Sequence, residues 1–325
     1  MSRALMLHED APRARVVELE DNQLPDLPVT VDIERSGLNY KDALAITGRG
    51  KIVRELPFVP GIDLTGRVVS SESPDHQVGD EVILTGWGVG ERHWGGLAER
   101  MRVKPEWLVA RPEGMSAEQA MAFGTAGLTA MLCVMRLEEA GLTPQQGPVI
   151  VTGATGGVGS WAVQMLAELG FEVHAVSGKA EQRNWLMSLG AYEVHLRSDF
   201  EAKGRPLEKS RWAGAVDTAG GQVLANLLAQ MHYDGKVAAV GLAAGADLPT
   251  SVMPFILRGV SLLGVDSVMI NAQRRQQVWQ RLASLPANLH SRMQLETVGL
   301  DALAERAEAM LDGTISGRVL LDPSL

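Results

Sequence analysis

A glycine-rich run that directly follows an apolar strand is the part of the sequence best suited to hold a phosphate. Residues 153–159 read Gly-Ala-Thr-Gly-Gly-Val-Gly and come straight after the apolar residues 148–151. Glycine lets the backbone turn tightly and approach a pyrophosphate, whose charge then meets the exposed N–H groups of a helix N-terminus. We expect that helix over 157–169, with a phosphate-free strand–turn–helix connection as the alternative. The predicted dinucleotide contacts are Thr155, Gly156, Gly157 and Val158.

The end of the next strand, predicted over 171–176, indicates which dinucleotide binds. In doubly wound folds an acidic residue there binds the ribose 2′-OH, whereas small polar and basic residues accommodate a 2′-phosphate. This chain has Ser177, Gly178 and Lys179 at that place, with Arg183 one helical turn later. The residues therefore favour NADPH over NADH. The alternative is that Lys179 and Arg183 form a solvated helix start, which the helix dipole disfavours for basic residues.

Ligands of parallel sheets bind outside the carboxyl ends of the strands. Three further residues follow predicted strands in this way: Arg197 follows the third, Leu242 the fifth and Val265 the sixth. We predict a backbone or side-chain contact with the dinucleotide from each of them. For Arg197 a surface position is the alternative.

The candidate active-site segment is residues 36–42, which read Ser-Gly-Leu-Asn-Tyr-Lys-Asp. It places the amide of Asn39, the phenol of Tyr40 and the carboxylate of Asp42 close together after a predicted strand. The alternative is a helix start in which Asn39 or Asp42 caps backbone N–H groups. Asp42 suits a structural anchor better than an acid, because an unperturbed carboxyl group is ionised at neutral pH.

Two kinds of dehydrogenase chemistry are excluded by the residues. Short-chain dehydrogenases use a Tyr and a Lys four residues apart, but the fourth residues after the three tyrosines are Leu44, Leu196 and Val237. Zinc-dependent alcohol chemistry needs clustered Cys and His ligands. The chain has seven histidines, scattered along the sequence, and one cysteine, Cys133, which we expect to be buried. We therefore predict no metal site.

Composition limits the other functional classes. The chain has 325 residues, enough for two domains, and a formal net charge of −9, which disfavours nonspecific binding to nucleic acid or to an anionic membrane. No signal-peptide core is recognisable near Met1, and no apolar segment approaches about 20 residues. These features predict a soluble, cytoplasmic protein without nucleic-acid or membrane partners.

The elements that must position these residues change in character near residue 122. Before it, short strands and turns predict a β-rich domain; after it, strands alternate with helix-length segments, which predicts a doubly wound parallel sheet. We predict a helix over 271–285 and a closing strand over 317–321, both outside that repeat. The expected domains are 1–123 with 267–325, and 124–266. The six expected strands of the sheet are 148–153, 171–176, 192–196, 213–217, 236–241 and 261–265.

Five segments together resemble the medium-chain dehydrogenase/reductase superfamily over essentially the whole chain. They are residues 38–42, 59–66 (Val-Pro-Gly-Ile-Asp-Leu-Thr-Gly), 78–82 (Val-Gly-Asp-Glu-Val), 124–130 (Gly-Thr-Ala-Gly-Leu-Thr-Ala) and the glycine turn. The resemblance implies an α/β protein with a GroES-like β-rich catalytic domain and a Rossmann domain. Zinc-dependent members carry a Cys in the segment equivalent to 37–42 and Gly-His-Glu where this chain has 61–63. Both are absent, which implies the zinc-free, quinone-oxidoreductase-like branch.

Within that branch the chain is similar to the acrylyl-CoA reductases, through residues 177–179, 216–221, 252–260 and 263–267. The resemblance implies NADPH-dependent reduction of acrylyl-CoA to propionyl-CoA by a homodimer. An NADPH:quinone oxidoreductase and a noncatalytic NADPH-binding protein are the alternatives. Implied catalytic residues are Asn39, Tyr40 and Asp42, and Tyr40, Thr125 and Arg318 are implied near the cofactor. An acyl-CoA substrate also calls for a basic groove, for which Arg49, Lys51, Arg54, Arg274 and Arg275 are candidates.

Overall fold

The computed structural model describes all residues, 1–325. Its fifteen strands are β1 (Ser2–Leu7), β2 (Ala14–Leu19), β3 (Val29–Leu38), β4 (Asp63–Ser71), β5 (Glu81–Thr85), β6 (Arg100–Val103), β7 (Leu108–Ala110), β8 (Val149–Val151), β9 (Val173–Ser177), β10 (Glu193–Leu196), β11 (Trp212–Asp217), β12 (Met231–Ala239), β13 (Ser261–Gly264), β14 (Leu295–Val298) and β15 (Arg318–Leu321).

Nine α-helices accompany these strands. They are α1 (Tyr40–Thr47), α2 (Ala117–Glu139), α3 (Gly157–Glu168), α4 (Arg183–Ser188), α5 (Gly221–Ala229), α6 (Met253–Arg258), α7 (Ala272–Ala283), α8 (Asn288–Ser291) and α9 (Leu303–Leu311).

The chain folds into two compact units, and the first is formed by three separate segments: 1–128, 267–285 and 294–325. Its main sheet has the strand order β14-β15-β3-β4-β5-β7, with β6 also paired to β3. Most pairs are antiparallel, and along β3 the residues Val29, Val31 and Ile33 are buried in alternation with more exposed neighbours. That alternation is typical of an antiparallel sheet with one face in the core. The unit has the GroES-like fold that the sequence predicts.

The second unit comprises residues 129–266 and 286–293. Its six strands are all parallel in the order β10-β9-β8-β11-β12-β13. Counted along the chain this is the order 3-2-1-4-5-6 of a Rossmann fold, in which dinucleotides bind where the order reverses. The prediction of a doubly wound parallel sheet is confirmed. The central strand β8 is short and wholly apolar, with Val149, Ile150 and Val151 all buried, as is typical of a parallel strand covered on both faces.

Two helices lie largely in the core. Within α3 every residue from Gly159 to Leu166 is buried. We expected no long apolar segment, yet α2 is long and apolar enough to cross a membrane by length and composition. In the structure 83% of that apolar window is buried inside the protein, which is the behaviour of a core helix.

Candidate active site

The start of α1 carries the three predicted catalytic residues of the first unit. Asn39 stands at the N-cap, Tyr40 is the first helical residue and Asp42 lies in the first turn. The Asp42 carboxylate accepts hydrogen bonds from the backbone N–H of Asn39 at 2.9 Å and of Ile62 at 3.0 Å. Both oxygens of this buried carboxylate are therefore engaged by the backbone. These contacts are those of an anchor that fixes the turn.

The amide of Asn39 is held in one orientation by two charged neighbours. Its Nδ2 donates to Asp63 Oδ2 at 3.0 Å and more weakly to the Gly37 carbonyl at 3.3 Å, while its Oδ1 accepts from Arg318 Nη1 at 3.0 Å. Because a carboxylate only accepts and a guanidinium only donates, the amide cannot be flipped without losing both bonds. The Asn39 side chain also accepts from the Asp42 backbone N–H in a capping box, so the amide is engaged on both sides by the protein.

Asp63, which the sequence analysis did not single out as a site residue, is the centre of this network. Its carboxylate accepts from the backbone N–H groups of Gly37 at 2.9 Å and Thr125 at 2.7 Å, in addition to Asn39. Arg318 Nη2 lies 3.9 Å from Asp63 Oδ2, and both side chains are almost completely buried. The sequence signal for Asp63 was its place in the segment 59–66, where zinc-dependent members carry the Glu of Gly-His-Glu.

Gly124 makes room for the Asp63–Arg318 pair. Within α2 it has φ 49° and ψ −150°, so the helix is interrupted there, and the continuous part after it covers 125–139. A Cβ atom at this position would lie 2.7 Å from Asp63 Oδ2 and 2.8 Å from Arg318 Nη2. Glycine is required on both counts, since other residues rarely adopt this backbone conformation.

Burial shifts the ionisation of the network. Loss of solvent, and then the neighbouring charge of Asp63, raise the pKa of Asp42 to about 7, against the opposing effect of its backbone donors. Burial likewise lowers the pKa of Arg318, although Asp63 and Asp42 both act to raise it. A guanidinium remains charged under such a shift. Asp42 therefore lies close to its titration midpoint at neutral pH.

We expect the raised pKa of Asp42 to appear in the pH dependence of stability. The folded pKa of about 7 exceeds the ordinary value of 3.8, so the protonated carboxyl stabilises the fold. This contribution is fully present below about pH 4 and is lost as the pH rises to 7. In Asp42→Asn the same loss is absent. Urea unfolding of both proteins across this range should show the wild type losing up to about 4 kcal/mol relative to the variant; parallel pH profiles would contradict the shift.

Tyr40 differs from its buried neighbours because 47% of it is exposed. The next residue, Lys41, is tied to Glu91 by a 2.8 Å ion pair, so Tyr40 is the side chain at the start of α1 that remains available to a ligand. The family resemblance implies that Tyr40 lies near the cofactor, and that role stays a prediction.

In the second unit the glycine turn joins β8 to α3 as the sequence predicts. Gly153 has φ 60°, and a Cβ atom there would lie 2.2 Å from the Thr218 hydroxyl. The helix begins at Gly157 with Gly156 at its N-cap, and no side chain caps the backbone N–H groups of this end. Such a helix start is a ready site for a phosphate.

The residues at the end of β9 form one cluster. The Ser177 hydroxyl lies 3.2 Å from the Thr155 hydroxyl and accepts from the backbone N–H of Lys179 at 3.0 Å. The Arg197 guanidinium packs against Gly178, where an added Cβ would meet its Cζ at 3.2 Å. Burial lowers the pKa of Lys179. Two hydroxyls and the Arg197 guanidinium, which also pairs with Glu201 at 2.7 Å, thus lie at the strand end, and this set fits a 2′-phosphate.

Other predicted residues have different surroundings. Arg183 Nη1 donates to the Val194 carbonyl at 2.9 Å, which anchors its side chain along β10. Leu242 is 64% exposed, and the Val265 backbone N–H bonds to the Ala239 carbonyl as an extension of the sheet. Asp217 was missed: it is buried at the end of β11 and accepts from the Thr152 hydroxyl at 2.7 Å and the Gly220 N–H at 2.8 Å, and burial raises its pKa.

The expected basic groove is not supported by Arg275 or Arg49. Arg275 is 1% exposed, its guanidinium donates to Thr85 Oγ1 at 2.8 Å, and it lies over the Trp87 ring. Its hydrogen bond to Thr85 joins α7 to the end of β5. Arg49 is paired with Glu308 and Asp312. Arg275 was a candidate for the basic groove, and its burial contradicts that prediction.

Comparison with known proteins agrees with the two folds. The family model described as alcohol dehydrogenase GroES-like domain matches residues 26–113, and the one described as zinc-binding dehydrogenase matches residues 157–284. The two folds and the two matches together define a medium-chain dehydrogenase/reductase.

Full-length relatives narrow the class. The probable acrylyl-CoA reductase AcuI of Escherichia coli strain K12 is 56% identical over 98% of this chain and 99% of its own length. The acrylyl-CoA reductase AcuI of Ruegeria pomeroyi is 49% identical over 99% of each chain. The crystal structure of the YhdH oxidoreductase from Salmonella enterica in complex with NADP superposes with a TM-score of 0.96, at 54% identity and 99% coverage of both chains. The chain belongs to the acrylyl-CoA reductase family, in the quinone-oxidoreductase-like branch of the superfamily.

Because one matching family is named for zinc binding, the residues of the first unit are compared with the ligands that zinc needs. Zinc of this kind is held by Cys, His and carboxylate groups with an open position. The buried network offers only the carboxylates of Asp42 and Asp63, and the Arg318 guanidinium already lies beside Asp63. The one cysteine, Cys133, is buried elsewhere, and burial raises the pKa of its thiol. These residues do not fit a zinc ion.

Proposed function

We propose that the protein uses NADPH to reduce the carbon–carbon double bond of acrylyl-CoA, giving propionyl-CoA. The observation that carries this proposal is the similarity over nearly the whole chain, at 56% and 49% identity, to two relatives named as acrylyl-CoA reductases. The local chemistry supports it: the second unit offers a basic nucleotide pocket, and the first offers a fixed amide beside an exposed phenol.

For the cofactor, the residues of the second unit support NADPH over NADH. Lys179, Arg183 and Arg197 supply positive charge near the end of β9, where Ser177 replaces the acidic residue that would bind a free ribose hydroxyl. The uncapped helix start at Gly157 would hold the pyrophosphate. The other residues of the second unit proposed to contact NADPH are Thr155, Gly156, Val158, Gly178, Leu242 and Val265.

For the chemical step, bound NADPH supplies a hydride, with both of its electrons, to the β-carbon of the thioester. The π electrons of the double bond then move toward the thioester oxygen, and the α-carbon takes up a proton. We propose that Tyr40 donates this hydrogen through its phenol, because its side chain is the exposed one at the start of α1. A phenol that is already in position can stabilise the negative charge that develops on the thioester oxygen without any rearrangement of the site.

Asn39 is proposed to orient the cofactor or substrate, with Asp42 as the anchor of its turn. Since both Asn39 N–H groups already donate to Asp63 and Gly37, the amide has no donor for the enolate oxygen. Arg318 was expected near the cofactor, but it is 3% exposed and bonded to Asn39; we propose that it positions that amide. Thr125, whose N–H is bonded to Asp63, is proposed near the cofactor as well.

Tyr40→Phe is expected to lower kcat by at least about 10-fold, because the phenol is the proposed hydrogen donor. Binding of NADPH, followed by its fluorescence, should be retained. Tyr233→Phe is the matched control, since Tyr233 is an exposed tyrosine of the second unit. An unchanged kcat in Tyr40→Phe would remove the donor role.

The proposed activity is tested by following NADPH absorbance with acrylyl-CoA, crotonyl-CoA and a benzoquinone side by side. We expect kcat/KM to be highest with acrylyl-CoA among the three substrates. Quinone turnover far above acrylyl-CoA turnover would instead establish an NADPH:quinone oxidoreductase. Enhanced NADPH fluorescence without oxidation in any mixture would establish a noncatalytic NADPH-binding protein.

We further propose a zinc-independent, cytoplasmic homodimer that acts on a small molecule, with no nucleic-acid or membrane partner. The buried network of the first unit has no Cys or His ligand for zinc, which supports zinc independence. The family resemblance supports the dimer. The net charge of −9 opposes nucleic-acid and anionic-membrane binding. Residues 1–123 with 267–325 are proposed as the catalytic domain and 124–266 as the NADPH domain.

A further inference from the structure

Two neighbouring strands of the second unit place histidine and glutamate side chains together on one face of the sheet. The parallel register pairs Glu193 of β10 with His174 of β9, and His195 with Val176. Because side chains alternate along a strand, His174, Glu193 and His195 share a face. The expectation that the histidines are scattered is wrong for these two, which are 21 positions apart in the chain but in contact.

The distances among these side chains match the needs of a metal ion. His174 Nδ1 lies 2.9 Å from His195 Nε2, and Glu193 Oε2 lies 3.6 Å from the first nitrogen and 3.9 Å from the second. A tetrahedral ion with bonds of about 2.0–2.1 Å separates its ligand atoms by about 3.3 Å. The observed separations lie on both sides of that value, so small side-chain rotations would bring all three atoms to it.

A further carboxylate already orients His174. Its Nε2 lies 3.1 Å from Glu172 Oε1, and because a carboxylate accepts, the ring carries its hydrogen on Nε2. The lone pair of Nδ1 then points toward His195 and Glu193. A carboxylate that holds the far nitrogen of a metal-binding histidine is a regular feature of protein metal sites. Glu172 takes no part in the proposed nucleotide pocket and is accounted for by this role.

The surroundings combine a rigid aromatic wall with access from solvent. The ring of Trp212 lies 4.7 Å from that of His174 and 5.7 Å from that of His195, and Phe200 packs against the edge of His195. The Glu193 side chain is 49% exposed, so the open side of the cluster faces water. A solvent molecule can therefore complete the coordination.

We infer that His174 Nδ1, His195 Nε2 and the Glu193 carboxylate form a binding site for a divalent transition-metal ion of the zinc type, with water as the fourth ligand. Two imidazoles and a carboxylate are a recurrent donor set for zinc. When the ion binds, the hydrogen that His195 Nε2 donates to His174 Nδ1 is lost from Nε2 and His195 takes one up on Nδ1, so that both ligating nitrogens present a lone pair and the ring stays neutral. The site is separate from the hydride-transfer chemistry: it ties the edge strand β10 to β9.

The test uses the full-length protein without a histidine tag, near neutral pH. Calorimetric titration with Zn²⁺ should give one ion per chain, Co²⁺ should give the visible absorption of a tetrahedral site, and either ion should raise Tm. His195→Gln and Glu193→Gln, both at partly exposed positions, should each weaken binding at least about 100-fold. Glu172→Gln, which changes only the partner of His174, should weaken it about 10–100-fold.

The matched control is His232→Gln, which removes a half-buried histidine of the same unit outside the cluster. This variant should bind Zn²⁺ as the wild type does. The inference is overturned if the wild type shows no saturable binding, if Co²⁺ is octahedral, or if His195→Gln and Glu193→Gln bind as tightly as the control. None of these readouts depends on catalytic activity, so they stand apart from the proposed reduction.

Discussion

Arg318→Met is expected to lower the free energy of unfolding by about 3–5 kcal/mol, the usual cost of leaving a buried charge without its partner. Arg318 and Asp63 are both almost completely buried, and Arg318 also donates to Asn39 at 3.0 Å and to the Met121 carbonyl at 3.3 Å. Methionine keeps much of the volume of the side chain but removes the charge and these donors. Urea unfolding followed by circular dichroism measures the loss.

The control for this prediction is Arg49→Met in the same unit. Arg49 pairs with Glu308, but both side chains are about half exposed, at 48% and 49%. Exposed pairs contribute about 0–1 kcal/mol, so this variant should lose little stability. In Arg318→Met/Asp63→Asn both charges are gone, and the loss should be at least about 1 kcal/mol less than the sum of the single losses. Equal, small losses in Arg318→Met and Arg49→Met would refute a central role for the buried pair.

Lys179→Ala/Arg183→Ala is expected to reduce the preference for NADPH over NADH by about 100-fold in kcat/KM. Hydrogen bonds to charged groups contribute about 1.5–3 kcal/mol each, and the exposure of these side chains places them at the lower end. NADH lacks the 2′-phosphate, so its KM should change little. Steady-state kinetics with each cofactor and a saturating enoyl-CoA measure both effects.

A second double variant separates local contacts from the general loss of charge. Lys203→Ala/Arg205→Ala removes two exposed cations from a nearby loop of the same unit. It changes the net charge by the same amount but should leave the cofactor preference as in the wild type. If both double variants shift the KM for NADPH equally, or if the first raises the KM for NADH just as much, the residues at the end of β9 do not bind the phosphate.

The fold was predictable because its signals are local. The apolar strand before the glycine turn, the glycines themselves and the strand–helix alternation after residue 122 are each contained in a short window. The structure confirms the parallel sheet and places α3 directly after the turn, with its N-terminus at Gly157 as expected. The interior of α2 was harder to predict, because scattered glycines and alanines hide an apolar stretch that Gly124 interrupts.

The candidate site was less predictable because its contacts join distant parts of the chain. Asn39 and Arg318 are 279 positions apart, and nothing near either residue indicates that they meet. Asp63 was not predicted as a site residue, because its importance comes from three donors on two distant segments, residues 37–39 and Thr125. The pairing of His174 with His195 likewise depends on the register of β9 and β10, which the sequence does not specify.

The order in which the ribosome makes the chain gives the place of β15 a further meaning. This strand lies between β14 and β3, so the main sheet of the first unit stays open until residues 318–321 have left the ribosome. All of the second unit, which ends at residue 293, has been made by then. Until that moment Asp63 also lacks the arginine that neutralises it in the native fold. The nascent first unit therefore has a long interval in which chaperones can bind its unfinished sheet, and Arg318 closes that interval.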